Sequence, residues 1–271
     1  MALSRREMIS MMGGGAVYAA QNAPVPVTRQ LHTELSPKWI RVRFGGEVIA
    51  DSRRALIMLG RGTPAYYFPK EDVRMDRLTP TSYRTQNETL GEASWYIVKA
   101  GPKVAENAAW SYSTEDLRGY VAFTWEKMDG WYEEGEEVFV HPHDPYHRID
   151  VLLSTRPMKV VVGGMTVAES QRPVILFETN FPARYYLPKD DVRLDLVRPS
   201  DTITRCPYKG EARYYSVAIG DKMFKDVIWY YRYPTTEASK IANHLAFYTE
   251  QTDATFVDAK ELAKPQRGQR G

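Results

Sequence analysis

The chain contains a single thiol, Cys206, at the head of the run Cys206-Pro207-Tyr208-Lys209-Gly210. Pro207 restricts φ and Gly210 permits backbone angles closed to other residues, so the run reads as a shaped turn entering a strand at 211–217. A thiol becomes a nucleophile when nearby positive charge stabilises its thiolate, and Lys209 or Arg184 could supply that charge. Glu178 could orient a base or bind a polar substrate atom. The catalytic candidates are Cys206, Lys209 and Glu178, with Arg184, Tyr186, Tyr208, Lys209, His147 and Trp229 as candidate ligand contacts. The plain alternative is a small buried hydrophobe at 206 and a solvated turn lysine at 209. A lone cysteine excludes an intramolecular disulfide and any multi-cysteine zinc knuckle.

Two further stretches carry chemistry-bearing types. His141-Pro142-His143-Asp144-Pro145-Tyr146-His147-Arg148-Ile149-Asp150 holds three of the five histidines. Imidazoles and a carboxylate suit zinc or iron, which makes His141, Asp144 and His147 an alternative metal set. The two prolines favour instead an ordered connector, from which His147 could face a pocket as a general base. In Asp191-Val192-Arg193-Leu194-Asp195, read as a strand, the two carboxylates and the arginine share one face. An arginine between carboxylates points to neutralised, hydrogen-bonded groups rather than a metal-binding pair.

The elements that must position these residues come from a duplication. RYYLPKDDVRLD begins at Arg184, and AYYFPKEDVRMD begins at Ala65. RVRFGGEVIADS from Arg41 matches KVVVGGMTVAES from Lys159, GEASWYIV from Gly91 matches GEARYYSV from Gly210, and YVAFTW from Tyr120 matches HLAFYT from His244. Trp110 and Tyr112 match Trp229 and Tyr231. Matched blocks in one order mean two tandem copies. Each copy holds short runs rich in β-branched and aromatic residues, bounded by Pro, Gly or Asp, with Gly-Gly as a two-residue hairpin turn. Only 237–248 has helical spacing, and a single turn before a strand satisfies it. The fold class is mainly β: two tandem small antiparallel domains. Tyr66-Tyr67 and Tyr185-Tyr186 each send one ring to either face of a strand.

Positions alike in both copies belong to the shared frame; positions that differ are candidates for copy-specific work. Where the second copy has Glu178, Arg184, Cys206 and Lys209, the first has Gly60, Ala65, Asn87 and Leu90. This pattern predicts a structural first copy and a site-bearing second copy.

The segments RYYLPKDDVRLD, CPYKGEA and DPYHRIDVL resemble the domain-of-unknown-function family 427 in its tandem form, from Trp39 to about Glu261. The resemblance implies a compact β-tent-like fold, similar to the zinc-ribbon-like exchange factors without their zinc cysteines. It also implies His141, Asp144, Pro145, Tyr146 and His147 as pattern residues, with a basic residue common at position 143. A nucleotidyltransferase label attached to the family finds no phosphate-cradling glycine loop or Gly-Ser followed by Asp-x-Asp here.

The expected organisation is an N-terminal extension over 1–36, a first repeat over 37–140, an ordered linker over 141–157, a second repeat over 158–262 and a disordered tail over 263–271. Ser4-Arg5-Arg6, a weakly apolar run and small residues to Ala23 have the form of a twin-arginine export signal; otherwise the chain is cytoplasmic. A net charge of +2 without a dense basic block gives no support to nucleic-acid or membrane-surface binding. The leading functional reading is a small, anionic molecule bound, and conceivably transformed, in a pocket of the second repeat, with Arg184 and Lys209 as its anchors. The alternatives are a non-catalytic interaction protein and a metal-dependent hydrolase at His141, Asp144 and His147. No cofactor and no stable membrane insertion are expected, and oligomeric state stays open.

Overall fold

The computed structural model describes residues 30–60 and 62–264. The twin-arginine segment and residues 265–271 lie outside the described residues. The chain divides between Pro145 and Tyr146 into two compact units. Every strand pairing is antiparallel, and the described residues form no α-helix, only short 3-10 turns. No helix among them is long and apolar enough to cross a membrane.

The first repeat comprises β1 (His32–Leu35), β2 (Ile40–Phe44), β3 (Glu47–Ser52), β4 (Leu56–Leu59), β5 (Ala65–Pro69), β6 (Leu78–Asn87), β7 (Gly91–Ala100), β8 (Lys103–Tyr112), β9 (Tyr120–Phe123), β10 (Gly130–Glu133) and β11 (Glu136–Val138). They form a seven-stranded sheet, β1-β4-β5-β9-β8-β7-β6, and a four-stranded sheet, β11-β10-β2-β3. The second repeat comprises β12 (Ile149–Leu153), β13 (Met158–Val162), β14 (Met165–Ser170), β15 (Val174–Glu178), β16 (Arg184–Pro188), β17 (Val197–Cys206), β18 (Gly210–Ile219), β19 (Lys222–Tyr231), β20 (His244–Phe247), β21 (Ala254–Val257) and β22 (Lys260–Glu261). Its sheets run β12-β15-β16-β20-β19-β18-β17 and β14-β13-β21-β22. The seven-stranded order repeats strand for strand.

The Gly-Gly turns set the β2–β3 and β13–β14 registers. Gly45 and Gly46 have φ of 58° and 84°, Gly163 and Gly164 of 57° and 76°, the left-handed angles that a tight hairpin turn demands. Alternation along the strands then sorts side chains. In each repeat one apolar set fills the main core, including Ile40, Val42, Phe68 and Trp131 in the first and Val160, Leu187, Ile228 and Val257 in the second. Each fully buried side chain of this size contributes roughly 1.5–3 kcal/mol. A separate cluster coats the opposite face of each seven-stranded sheet: Tyr67, Trp110 and Tyr112 in the first repeat, Tyr186, Trp229 and Tyr231 in the second. Tyr66 and Tyr185 belong to the main cores, so each tyrosine pair splits across its strand.

Three local expectations change. Strand β1 precedes the start expected at 37, and β12 lies inside the stretch read as linker. Each supplies an edge to its seven-stranded sheet, with Leu35 opposite Leu56 and Leu153 opposite Val174. Asp191 and Asp195 do not lie along a strand. They sit in the 3-10 turns Lys189–Asp191 and Leu194–Leu196, on either side of a lone Ala168–Val192 bridge. Residues 239–241 form the single 3-10 turn before β20.

Candidate functional site

Glu178 ends β15, opposite Ile149 of β12. The pairing runs on past the strand ends, Thr179 donating its amide to the Arg148 carbonyl at 3.0 Å and Arg148 its own to Thr179 Oγ1 at 2.9 Å. This carries His147, two residues before β12, alongside Glu178. Lys209 arrives from the tip of the β17–β18 hairpin, where its amide donates to the Cys206 carbonyl at 3.3 Å. Thr235 pins that tip by donating its amide to the Lys209 carbonyl and its hydroxyl to the Tyr208 carbonyl, at 3.2 and 2.6 Å. β15 and β18 stand four strand steps apart in the sheet order, yet the Lys209 side chain at the hairpin tip ends on Glu178.

The three side chains converge. His147 Nε2 lies 3.0 Å from Glu178 Oε1, and Lys209 Nζ lies 2.5 Å from Oε2. Side-chain exposures of 11%, 7% and 12% for His147, Glu178 and Lys209 make this a nearly sealed ionic cluster. Burial opposes ionisation of Glu178, but the hydrogen bonds and charges of His147 and Lys209 outweigh it and hold the carboxyl below its usual range. An ionised carboxylate only accepts, so His147 donates from Nε2, and a neutral imidazole then keeps its lone pair on Nδ1. Nδ1 makes no hydrogen bond with the described residues. The Tyr208 ring stacks on the imidazole at 3.9 Å, and Phe181 meets it edge-on at 6.2 Å.

A second layer lies on the same sheet face. Arg184 of β16 pairs with Glu250 at 3.2 Å and sits over the rings of Trp229 and Tyr248, at 5.5 and 5.9 Å. Trp229 donates from Nε1 to the Tyr186 hydroxyl at 3.2 Å. Cys206 is partly exposed.

The structure brings His147, Glu178, Lys209 and Tyr208 into one cluster, with Arg184, Tyr186 and Trp229 in the neighbouring one. It also removes the reason for an anionic ligand, because each expected anchor, Lys209 and Arg184, is already held by a carboxylate. The cluster is packed rather than hollow. The second repeat's groove of about 160 Å³ is lined by Glu211, Arg213, Arg232 and Tyr233; Glu211, Arg213 and Arg232 alternate with Ala212 and Tyr231, so it opens on the opposite face. A larger, open groove of about 590 Å³ in the first repeat runs past Lys103, Val104, Lys127 and Asp129. His141 Nδ1 interacts with the Pro142 carbonyl, and no three His, Cys, Asp or Glu side chains converge to hold a metal among the described residues.

The Asp-Arg-Asp motif serves the frame in both copies. Ser170 Oγ donates to Asp191 at 2.6 Å and Arg172 adds an ion pair, while Arg193 grips Asp195 with two hydrogen bonds. Ser52, Arg54, Asp72, Arg74 and Asp76 repeat the arrangement. Hydrogen bonds from Ser170 and Arg54 lead the causes that hold Asp191 and Asp72 below the usual carboxylate range.

Sequence reasoning missed Glu250, Tyr248 and Tyr231. Glu250 aligns with Glu126 and Tyr231 with Tyr112, so a filter for differences between copies discards them. Tyr248 aligns with Thr124 and was detectable as a difference.

Fold and cluster together define a tandem all-β protein, built of duplicated antiparallel units, that buries an ionic cluster in one unit and not the other. The chain belongs to the family described as Domain of unknown function (DUF427), whose model matches residues 32–134 and 150–258. Those limits take in β1 and nearly all of β12. No curated protein matches the chain.

Proposed function

We propose that the second repeat binds a small polar molecule at the His147–Glu178–Lys209 cluster, with His147 Nδ1 as the proton acceptor, and that the first repeat is its structural partner. One observation carries this reading: a nearly sealed ionic trio stands on a frame that, in the first repeat, closes around Gly60 and Leu90. A buried ion pair seldom stabilises a fold more than apolar packing of similar volume, so the second repeat has no structural need of one. Glu178 orients the imidazole, and Lys209 keeps Glu178 ionised. An anion entering here would have to displace Glu178 from Lys209 or Glu250 from Arg184. A neutral molecule needs no such exchange.

Native mass spectrometry of the freshly purified chain tests the proposal, with Lys209→Ala and Leu90→Ala beside it and a metabolite panel added to each. Retention of a small molecule by wild type and Leu90→Ala, and its loss from Lys209→Ala, is the expected result. Equal behaviour of all three overturns it. The interaction-protein reading draws on Leu152 and Leu153, 52% and 78% exposed on the edge strand β12. It requires an association state that Leu153→Lys abolishes.

A further inference from the structure

Three arginines crowd one carboxylate at the end of the second repeat's large sheet. Arg205 of β17 stands opposite Glu211 of β18 and reaches it at 3.6 Å, while Arg213, two residues on along the same face, reaches it at 2.9 Å. The Ala212–Tyr231 pair brings Arg232, one step past β19, level with Glu211 from the other side. Arg232 makes no hydrogen bond or ion pair with the described residues. Its guanidinium lies 5.4 Å from the centre of the Tyr233 ring, and Tyr233 is 78% exposed. Glu211, Arg213, Arg232 and Tyr233 line the one groove of about 160 Å³. Three cations against one carboxylate leave positive charge unmatched there, held together against its own repulsion.

The wall of this groove is built in. Gly210, at a φ of 101°, lets the Tyr233 carbonyl oxygen pass 3.1 Å from where a Cβ would stand. Thr235, two residues on, is the residue that pins the β17–β18 hairpin tip. The first repeat lacks the charges. Gln86, Ser94, Ser113 and Thr114 occupy the places of Arg205, Arg213, Arg232 and Tyr233. The carboxylate is kept as Glu92, with Arg84 at 3.6 Å, one cation for one anion.

We propose that this groove binds the phosphate group of a small phosphate ester, with the organic part of the ester along Tyr233. The site lies on the sheet face opposite the His147 cluster and is independent of it. A guanidinium presents its donors in a planar fork that matches phosphate oxygens. Arg213 spends only Nη2 on Glu211, and Arg232 has no carboxylate to leave, unlike Lys209 and Arg184. A phosphate monoester carries about −1.5 to −2 at neutral pH and matches the excess; a carboxylate offsets only half of it. The groove is smaller than the roughly 300 Å³ or more that encloses a whole drug-sized ligand. It takes a group, and the remainder of the ligand lies outside against the exposed ring.

Isothermal titration of the full-length protein tests this, with phenyl phosphate, inorganic phosphate and benzoate as probes at one fixed ionic strength. Phenyl phosphate is expected to bind most tightly. Arg232→Gln should weaken it about tenfold or more, the size of a charge-assisted hydrogen bond, and Arg232→Lys, which keeps the charge without the fork, should restore only part. Lys222→Gln removes the same charge at the other end of β19 and should change binding less than twofold. Unfolding midpoints establish that these surface variants fold. Absence of saturable phenyl phosphate binding, an equal loss in Lys222→Gln and Arg232→Gln, or benzoate binding as tightly as phenyl phosphate overturns the proposal. Inorganic phosphate binding as tightly as phenyl phosphate overturns the ester and assigns the groove to free phosphate. Every variant retains His147, Glu178 and Lys209, so failure here leaves the reading of that cluster to its own test.

Discussion

The two repeats are a controlled experiment carried on one chain. They share strand order, Gly-Gly turns, carboxylate–arginine clamps and a tryptophan that donates to a tyrosine: Trp110 to Tyr67 at 3.3 Å and Trp229 to Tyr186 at 3.2 Å. They part at the hairpin tip and the sheet edge facing it. In the first repeat the backbone of Leu31 passes so near Gly60 that a Cβ there would lie 2.7 Å from Leu31 Cα; the position admits no side chain, and Leu90 joins the apolar cluster around Trp110. In the second repeat the same positions hold an ion pair with a histidine against it. The difference shows that the frame closes without charges on this face, and that the two copies part there by His147, Glu178 and Lys209.

The largest expected effect breaks that cluster from one side. Lys209→Ala strands a buried carboxylate and should cost the second repeat about 3 kcal/mol or more, whereas Leu90→Ala should cost the first about 1 kcal/mol as a partial loss of apolar contact. Urea titration with hydrogen exchange resolved by repeat measures both.

Next comes a contrast within the shared turns. A Cβ at Gly45 would lie 1.9 Å from the Ala100 carbonyl oxygen, a backbone atom, while at Gly163 it would meet the Phe224 ring at 2.8 Å. Both positions carry the strain of a positive φ, about 1–2 kcal/mol. Gly45→Ala should cost about 3 kcal/mol or more and Gly163→Ala about 2, since a ring end can move and a paired strand cannot.

Acid sharpens the comparison further. Asp72 and Asp191, both held low, give each repeat a common acid sensitivity. In the first repeat Asp129, held low by a hydrogen bond from exposed Lys103, adds a little at the surface, and in the second the buried Glu178 adds more. Its folded value is depressed below the ordinary 4.5, so its contribution is complete above that pH and is lost as pH falls through the folded value. The second repeat should lose protection first during acidification. In Lys209→Ala burial dominates Glu178, and that extra sensitivity should shrink or reverse. The smallest effect should be equal in both halves: Trp110→Phe and Trp229→Phe each remove one indole hydrogen bond, worth about 1 kcal/mol.

Much of this frame was legible before any coordinates. The duplicated segments, the Gly-Gly hairpins and the splitting of each tyrosine pair follow from turn chemistry and a two-residue period, which act locally. The edge strands β1 and β12 were not legible, because short edge segments such as His-Thr-Glu-Leu carry little β signal of their own and pair only through neighbours distant in sequence. The Asp-Val-Arg-Leu-Asp stretch has strand-like alternation, but capture of its carboxylates by Ser170, Arg172 and Arg193 curls it into turns. Comparing the copies picked out Glu178, Arg184 and Lys209, yet it could not show that each cation has a carboxylate waiting. The comparison carries no information on which groups distant in sequence come together. It also hid Tyr231, whose residue type is common to both repeats and whose burial is not.

The central claim is that the second repeat's ionic cluster serves a ligand rather than the fold. Urea unfolding of Glu178→Leu/Lys209→Leu, beside the two single variants, tests it most directly. The account predicts that each single change costs about 3 kcal/mol while the double variant returns to within about 1 kcal/mol of wild type. A double variant as unstable as the two single changes summed would contradict it and make the cluster part of the scaffold.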